Sequence, residues 1–210
     1  MKNEFLAGEA DAYHDRNATS PVYTDYQIED DYVWKFVKKS INDIGLLLDV
    51  GCAFGKRTAA FAKALKAEAV GVDPSKKSID QLDSCVLGVR ATADIFNIGL
   101  QFDLVLVNFC LHWVERKDLL ATMANIDRHV ADGGHLLISD FQPASGDRES
   151  VPYAHNEAVR TWKDDYLQMF QATGLYRLVE AQSVGYDKLE LGGAGAYIGL
   201  LQKTYTGETK

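Results

Sequence analysis

One segment constrains this chain more than any other: Leu46-Leu47-Leu48-Asp49-Val50-Gly51-Cys52-Ala53-Phe54-Gly55. The apolar run that opens it suits a strand buried on both faces. The acid and the glycines that follow suit a tight turn into a helix. Glycine lets the backbone turn sharply and lets a ligand approach it closely. The helix start after such a turn offers free N–H groups. A strand of this kind needs neighbours on both sides and helices above and below, so the segment points to a layered α/β fold.

The rest of the chain supplies those partners. Residues 31–42 carry Val33, Trp34, Val37 and Ile41 at helical spacing with lysines between them. Residues 56–67 are Ala-rich and helical in pattern, and 68–72 form a second strand ending at Asp73-Pro74. A helix over 76–85, a strand over 86–91, a strand over 102–107 and a helix over 118–130 continue the alternation. Gly133-Gly134 is read as closing that helix before a strand over 135–139. A further helix is expected over 156–171, closed by Gly174. Strands over 176–184 and 196–203 follow, joined by a link containing Gly192-Gly193-Ala194-Gly195. Strand–helix alternation ending in two strands predicts a doubly wound, Rossmann-like sheet with an antiparallel C-terminal hairpin and helices on both faces. With 210 residues the chain is read as a single domain overall.

Three ligand classes use a glycine turn after a buried strand. A P-loop places four residues between its glycines and then Gly-Lys-Ser/Thr, whereas three residues separate Gly51 from Gly55 and Arg57 follows Lys56. The dinucleotide fingerprint needs glycines where the chain has Ala53 and Lys56. A second acid points to a nucleoside ligand. Asp73 stands 22 residues after Gly51 at the end of the next strand, where a carboxylate can accept both hydroxyls of a ribose.

The segment resembles motif I of the class I S-adenosylmethionine-dependent methyltransferases, an acid-x-Gly-x-Gly-x-Gly pattern. It matches at Asp49, Gly51 and Gly55 and departs at Ala53. Cys52 is often found at its position in that family, where it also suits a small buried apolar group. The resemblance extends over Asp73-Pro74 and over Ala93-Asp94-Ile95. It continues through the strand ending Asn108-Phe109-Cys110-Leu111-His112-Trp113 and reaches about Phe141.

The resemblance implies S-adenosyl-L-methionine as cofactor, with S-adenosyl-L-homocysteine as product. It implies a cofactor site built from Asp49, Gly51, Cys52, Ala53, Gly55, Asp73, Pro74, Asp94, Ile95 and Asn108. Asp94 would receive the adenine amino group and Ile95 would pack on the ring. Residues 1–45 would form a lid segment and first helix before the methyltransferase domain of residues 46–210. Tyr13 and Arg16 would reach the cofactor from that lid, with Arg16 on the methionyl carboxylate or on an acidic acceptor. These N-terminal aromatics equally suit packing on the sheet edge. Residues 142–162 would form the acceptor pocket.

The implied activity is in-line methyl transfer to oxygen or nitrogen of a small polar molecule, with a sugar-like acceptor among the candidates. No metal is required, because the sulfonium methyl is already activated. A protonated acceptor needs a general base, for which histidine is suited. His155 and His112 are the first candidates and His14 the next, while His129 and His135 fall at the back of the sheet. The alternatives are a nucleic-acid or protein methyltransferase and a non-catalytic S-adenosylmethionine-binding domain. Against nucleic acid stand a net charge of −8 and the lack of proline after Asn108. Three cysteines without CxxC spacing, no apolar leader, and no run near the roughly 18 residues that cross a bilayer point to a cytoplasmic protein without a membrane partner. It is expected as monomer or homodimer.

Overall fold

The computed structural model describes residues 2–143, 148–184 and 195–204. The N-terminal segment is helical: α1 (Lys2–Glu4), a π-helical turn (Phe5–Glu9), α2 (Ala10–Asn17), α3 (Pro21–Thr24) and α4 (Tyr32–Ser40). The alternating part follows with β1 (Leu46–Val50), α5 (Lys56–Leu65), β2 (Glu68–Asp73), α6 (Lys76–Asp80), β3 (Val86–Arg90), β4 (Phe102–Asn108), a 3-10 turn (Leu111–Trp113), α7 (Arg116–His129) and β5 (Val130–Phe141). The chain ends in β6 (Glu149–Tyr153), β7 (Asn156–Lys163), α8 (Tyr166–Ala172), β8 (Tyr176–Val184) and β9 (Ala196–Lys203).

Seven strands form one sheet in the order β3-β2-β1-β4-β5-β9-β8. Strands β1 to β5 pair in parallel, and β9 joins antiparallel to both β5 and β8. β1 lies in the middle between β2 and β4, which suits a strand whose residues from Leu47 to Val50 are all buried. Alternate residues divide between the faces. Leu47, Leu104, Leu106, Leu137 and Leu200 pack with Val33, Phe36 and Val37 of α4 and Phe61 of α5. Leu48, Val50, Val105, Val107 and Ile138 pack on the other face with Leu119, Met123 and Ile126 of α7 and Phe170 of α8. Burying an aliphatic side chain of this kind contributes about 1.5–3 kcal/mol, so these two layers are the main source of stability.

The second sheet is a hairpin of β6 and β7 alone. It corrects the helix expected over 156–171. Val159 and Lys163 are buried while Ala158 and Arg160 are exposed, a period-2 pattern carried by residues with strand preference such as Val159, Thr161 and Trp162. The helix begins only at Tyr166, where Asp165 caps it by accepting from the Gln168 N–H at 2.8 Å. Two further boundaries move. The helix expected over 76–85 stops at Asp80, which leaves Leu82 free to pack against Gly88. Gly133-Gly134 lies inside β5 rather than at a helix end, in the bulge where the register with β4 shifts between Phe102 and Leu104. Residues 192–194 of the expected glycine link lie outside the described residues.

One side chain ties the N-terminal segment to the glycine turn. Asp31 caps α4 by accepting from the backbone N–H groups of Val33 (2.7 Å) and Trp34 (3.2 Å). Its second oxygen accepts from Arg57 Nε (2.7 Å) and Tyr26 Oη (2.9 Å). Removing the carboxylate leaves the cap open and the Arg57 guanidinium without its counter-ion. Asp31→Ala is expected to lower unfolding free energy by roughly 3 kcal/mol in urea titration. Asp31→Asn, which keeps a capping oxygen, is expected to lose less.

Candidate active site

The carboxyl ends of β1, β2, β4 and β5 open into a cavity of about 1550 Å³. In open α/β sheets this end carries the ligand crevice. The turn from β1 into α5 alternates in hand: φ is +79° at Gly51, +47° at Ala53 and +63° at Gly55. Glycine takes this conformation freely, whereas alanine at Ala53 costs roughly 1–2 kcal/mol. A side chain at Gly51 would meet Cys110 at 3.0 Å, so the turn also fits closely against the loop after β4. Phe109, at the end of β4, is a second non-glycine residue held at positive φ (+49°) on the same cavity. Backbone strain of this kind gathers at functional sites.

Three acids stand along this wall. Asp49 is buried and accepts from the Thr58 hydroxyl at 2.6 Å, which ties β1 to α5. Burial pushes its carboxyl up, and the Thr58 bond works against that rise. Asp73 accepts from the Ala53 N–H (3.0 Å) and the Ser75 N–H (2.8 Å), so it holds the turn as well as facing the cavity. Burial pushes the Asp73 carboxyl up to about 6. Asp94 accepts from Lys2 Nζ (2.6 Å) and the Thr92 hydroxyl (2.6 Å). Burial works to raise its carboxyl, and these two donors outweigh that and hold it below the usual range.

Another part of the lining is aromatic. Trp113 has the rings of His112 (4.6 Å), Tyr153 (4.8 Å), Phe5 (5.4 Å) and Tyr13 (6.3 Å) around it, measured between centroids. Phe141 lies 4.8 Å from both His112 and Phe109. These rings come from the N-terminal helices, the loop after β4, the end of β5 and the β6–β7 hairpin. His112 is buried and its Nδ1 lies 2.9 Å from Asp140 Oδ1. Asn108 accepts from Tyr32 Oη at 2.5 Å.

Of the residues expected in the site, Tyr13, Asp49, Gly51, Cys52, Ala53, Asp73, Pro74, Asp94, Asn108, His112 and His155 line this cavity. Gly55, Ile95 and Arg16 stand off its wall. Gly55 sits at the N-cap of α5 with Leu82 against it. Ile95 is exposed. Arg16 donates to Glu9 and to Tyr153 Oη (3.1 Å), so its charge joins α2 to the hairpin instead of reaching the cavity. His155 is exposed on the hairpin turn, with its ring edge on Tyr153. His14 is buried away from the wall, stacked on Phe54 at 4.3 Å and 3.0 Å from Ser78 Oγ. Burial pushes the thiols of Cys52 and Cys110 up, so both stay protonated and act as packing groups.

Several lining residues had no motif to mark them. Arg57, in the first turn of α5, faces the cavity. Burial opposes its charge, and Asp31, Tyr32 and Asp49 together outweigh it and keep it protonated. Lys2 and Phe5 come from the far N-terminus, and Lys163 from the end of β7. Among the described residues no helix is long and apolar enough to cross a membrane.

A seven-stranded sheet with its last strand inserted antiparallel, and a cavity over the carboxyl ends of β1, β2 and β4, is the fold of the class I S-adenosylmethionine-dependent methyltransferases. Over residues 28–191 the sequence matches the family described as a methyltransferase domain, and the chain belongs to that family. Its fold is similar to a 1,6-didemethyltoxoflavin-N1-methyltransferase of Burkholderia thailandensis, whose structure holds S-adenosylhomocysteine. The TM-score is 0.73 at 18% identity, over 97% of this chain and 91% of that one. The N-methyltransferase NodS of Bradyrhizobium japonicum, also with S-adenosylhomocysteine, gives a TM-score of 0.67 at 15% identity, over 91% and 97%. In sequence, a carboxy-S-adenosyl-L-methionine synthase of Colwellia psychrerythraea is 26% identical in an alignment of 124 residues that covers 52% of this chain. The chain spans about half the length of that curated relative, 50%.

The raised Asp73 carboxyl has a consequence for stability. The folded chain holds this proton up to about pH 6, whereas an unfolded aspartate releases it near pH 3.8. The contribution of Asp73 to stability therefore falls as pH rises through that window. Urea midpoints of Asp73→Asn relative to the unsubstituted protein are expected to rise between about pH 4 and pH 6 and to level off above.

Proposed function

We propose that the protein transfers the methyl group of S-adenosyl-L-methionine to an oxygen or nitrogen of a small polar molecule. The observation that carries this reading is the pairing of two unlike walls in one cavity. One wall bears the glycine turn with Asp73 and Asp94, and the other is a ring of aromatic groups with a histidine in it. Family membership and the two similar enzymes with S-adenosylhomocysteine support the same reading.

The donor and acceptor set fits that cofactor. A nucleoside offers hydroxyls and an exocyclic amine, which need acceptors, and Asp73 and Asp94 are carboxylates on the wall. Asp73 suits the ribose hydroxyls. Asp94 suits the adenine amine, since each carboxylate oxygen keeps a lone pair beyond the bonds from Lys2 and Thr92. The methionyl carboxylate needs a cation. Arg57 gives Nε to Asp31, and among the described residues its terminal nitrogens remain as donors. It takes the role expected of Arg16. Asp49, Gly51, Cys52, Ala53, Pro74 and Asn108 shape the floor.

The bound cofactor supplies an activated methyl group on a sulfonium. The chain's own part is orientation, exclusion of water and removal of a proton. The aromatic wall of Phe5, Tyr13, Phe109, Trp113, Phe141 and Tyr153 provides flat apolar faces for the acceptor. His112 stands within that wall, while His155 is exposed at its rim. A ring-shaped acceptor fits these faces, and the hairpin bearing Tyr153 and His155 closes the acceptor side.

Calorimetry with S-adenosylhomocysteine tests the cofactor half. Binding is expected, weakened at least about tenfold by Asp73→Ala through the loss of charged hydrogen bonds. Absence of binding by both S-adenosylmethionine and S-adenosylhomocysteine overturns the reading. The acceptor half is tested by transfer of labelled methyl from S-adenosylmethionine to a panel of phenols, N–H heterocycles and hexosamines. His112→Ala is expected to lower turnover by about 10²–10⁴, the range of general-base catalysis, with S-adenosylhomocysteine affinity within about twofold.

A further inference from the structure

The loop after β4 meets the end of β5 through three hydrogen bonds to one carboxylate. Asp140 Oδ1 accepts from His112 Nδ1 (2.9 Å) and from the Phe141 N–H (2.8 Å). Asp140 Oδ2 accepts from the His112 N–H (3.1 Å). Asp140 has no solvent exposure, and among the described residues no lysine or arginine pairs with it. Burying a carboxylate costs several kcal/mol unless its partners are well placed. The two backbone donors alone could be satisfied by a neutral oxygen. The third donor is an imidazole on the cavity wall.

We propose that Asp140 is a positioning residue that fixes His112 with its proton on Nδ1, so that the Nε2 lone pair serves as the general base for an acceptor carrying an O–H or N–H. This rests on the methyl-transfer reading above and narrows it. A carboxylate is acceptor-only, so the nitrogen beside it carries the proton. Among the described residues no other group bonds the His112 ring, which leaves Nε2 for the cavity. The charge of Asp140 also favours the imidazolium that forms when Nε2 takes a proton.

Among the described residues, the charge of Asp140 acts on Cys110 in the same loop, Tyr166 of α8 and Tyr197 of β9. Burial pushes all three up, and the charge of Asp140 adds to the rise in each, so they stay neutral near pH 7. Asp140 is the charge that His112 meets. Phe109, Trp113 and Phe141 around the imidazole are neutral rings.

The proton balance follows. The acceptor's O–H or N–H proton goes to Nε2 as the acceptor atom bonds the methyl carbon. The electron pair of the broken carbon–sulfur bond stays on sulfur, giving the thioether, and the proton on Nε2 passes to water. An acceptor atom without a proton, such as a tertiary amine or a thioether, has no use for this arrangement. The acceptor class is therefore an alcohol, a phenol or an N–H group.

The test uses the full chain labelled with ¹⁵N-histidine and saturated with S-adenosylhomocysteine. Long-range ¹H–¹⁵N spectra at pH 7.5 are expected to show His112 with a protonated Nδ1 and an unprotonated Nε2. A proton found on Nε2 overturns the proposal without any substitution. Asp140→Asn is expected to change that pattern and to lower turnover of the best panel acceptor about 100-fold. It should also move the acid limb of the pH–rate profile to lower pH, while S-adenosylhomocysteine affinity stays within about twofold. If the cofactor binds and the acceptor is methylated, but Asp140→Asn keeps the tautomer, the rate or the profile, this proposal falls and the methyl-transfer reading stands. Failure of the cofactor to bind overturns both.

Discussion

Everything in the site depends on how the chain leaves β1. Three left-handed residues at alternate positions, 51, 53 and 55, swing the backbone off the sheet and start α5 beside it. Two hydrogen bonds hold that departure, a buried one from Thr58 to Asp49 and a part-buried one from the Ala53 N–H to Asp73. The first joins α5 to β1, and the second joins the turn to the end of β2. Asp73, the acid that suits a ribose, is thus already committed to the frame, and a ligand would share a carboxylate that holds the backbone. The raised Asp73 carboxyl reflects the same position, largely enclosed by protein on the cavity lining.

The central sheet was legible because its strands carry signals that no tertiary contact has to supply. Leu46–Val50, Tyr176–Val184 and Ala196–Lys203 fall where the apolar runs and glycines put them. The hairpin of β6 and β7 was not legible, because Ala158 and Val159 within a stretch of mixed polarity read as helix as easily as strand. Its strands are settled by pairing with each other and by packing on the loop at Leu111–Trp113. A Pro152 on β6 is tolerated there because the sheet has only two strands, both of them edges.

The site divides in the same way. Asp49, Gly51 and Asp73 stand at fixed spacing in one short stretch, so a motif could carry them. Arg57, Lys2 and Asp140 matter through contacts across the fold, with Asp31, Asp94 and His112 respectively. No local pattern marks such pairs. Arg16 shows the converse: an arginine in a plausible place whose charge is taken up by Glu9, a neighbour in the same helical segment.

The N-terminal helices and the hairpin are separate in sequence but fastened to one another over the cavity. Glu9 accepts from Asn156 at 2.8 Å, and Arg16 bonds Tyr153 and lies over its ring. Neither piece belongs to the central sheet. A lineage could therefore exchange this clasp for another and acquire a different acceptor while the cofactor end kept its shape. The two halves of the clasp would have to change in step, because a new residue at Asn156 or Tyr153 removes the bond that joins the hairpin to Glu9 or Arg16 and leaves those two bonded to each other.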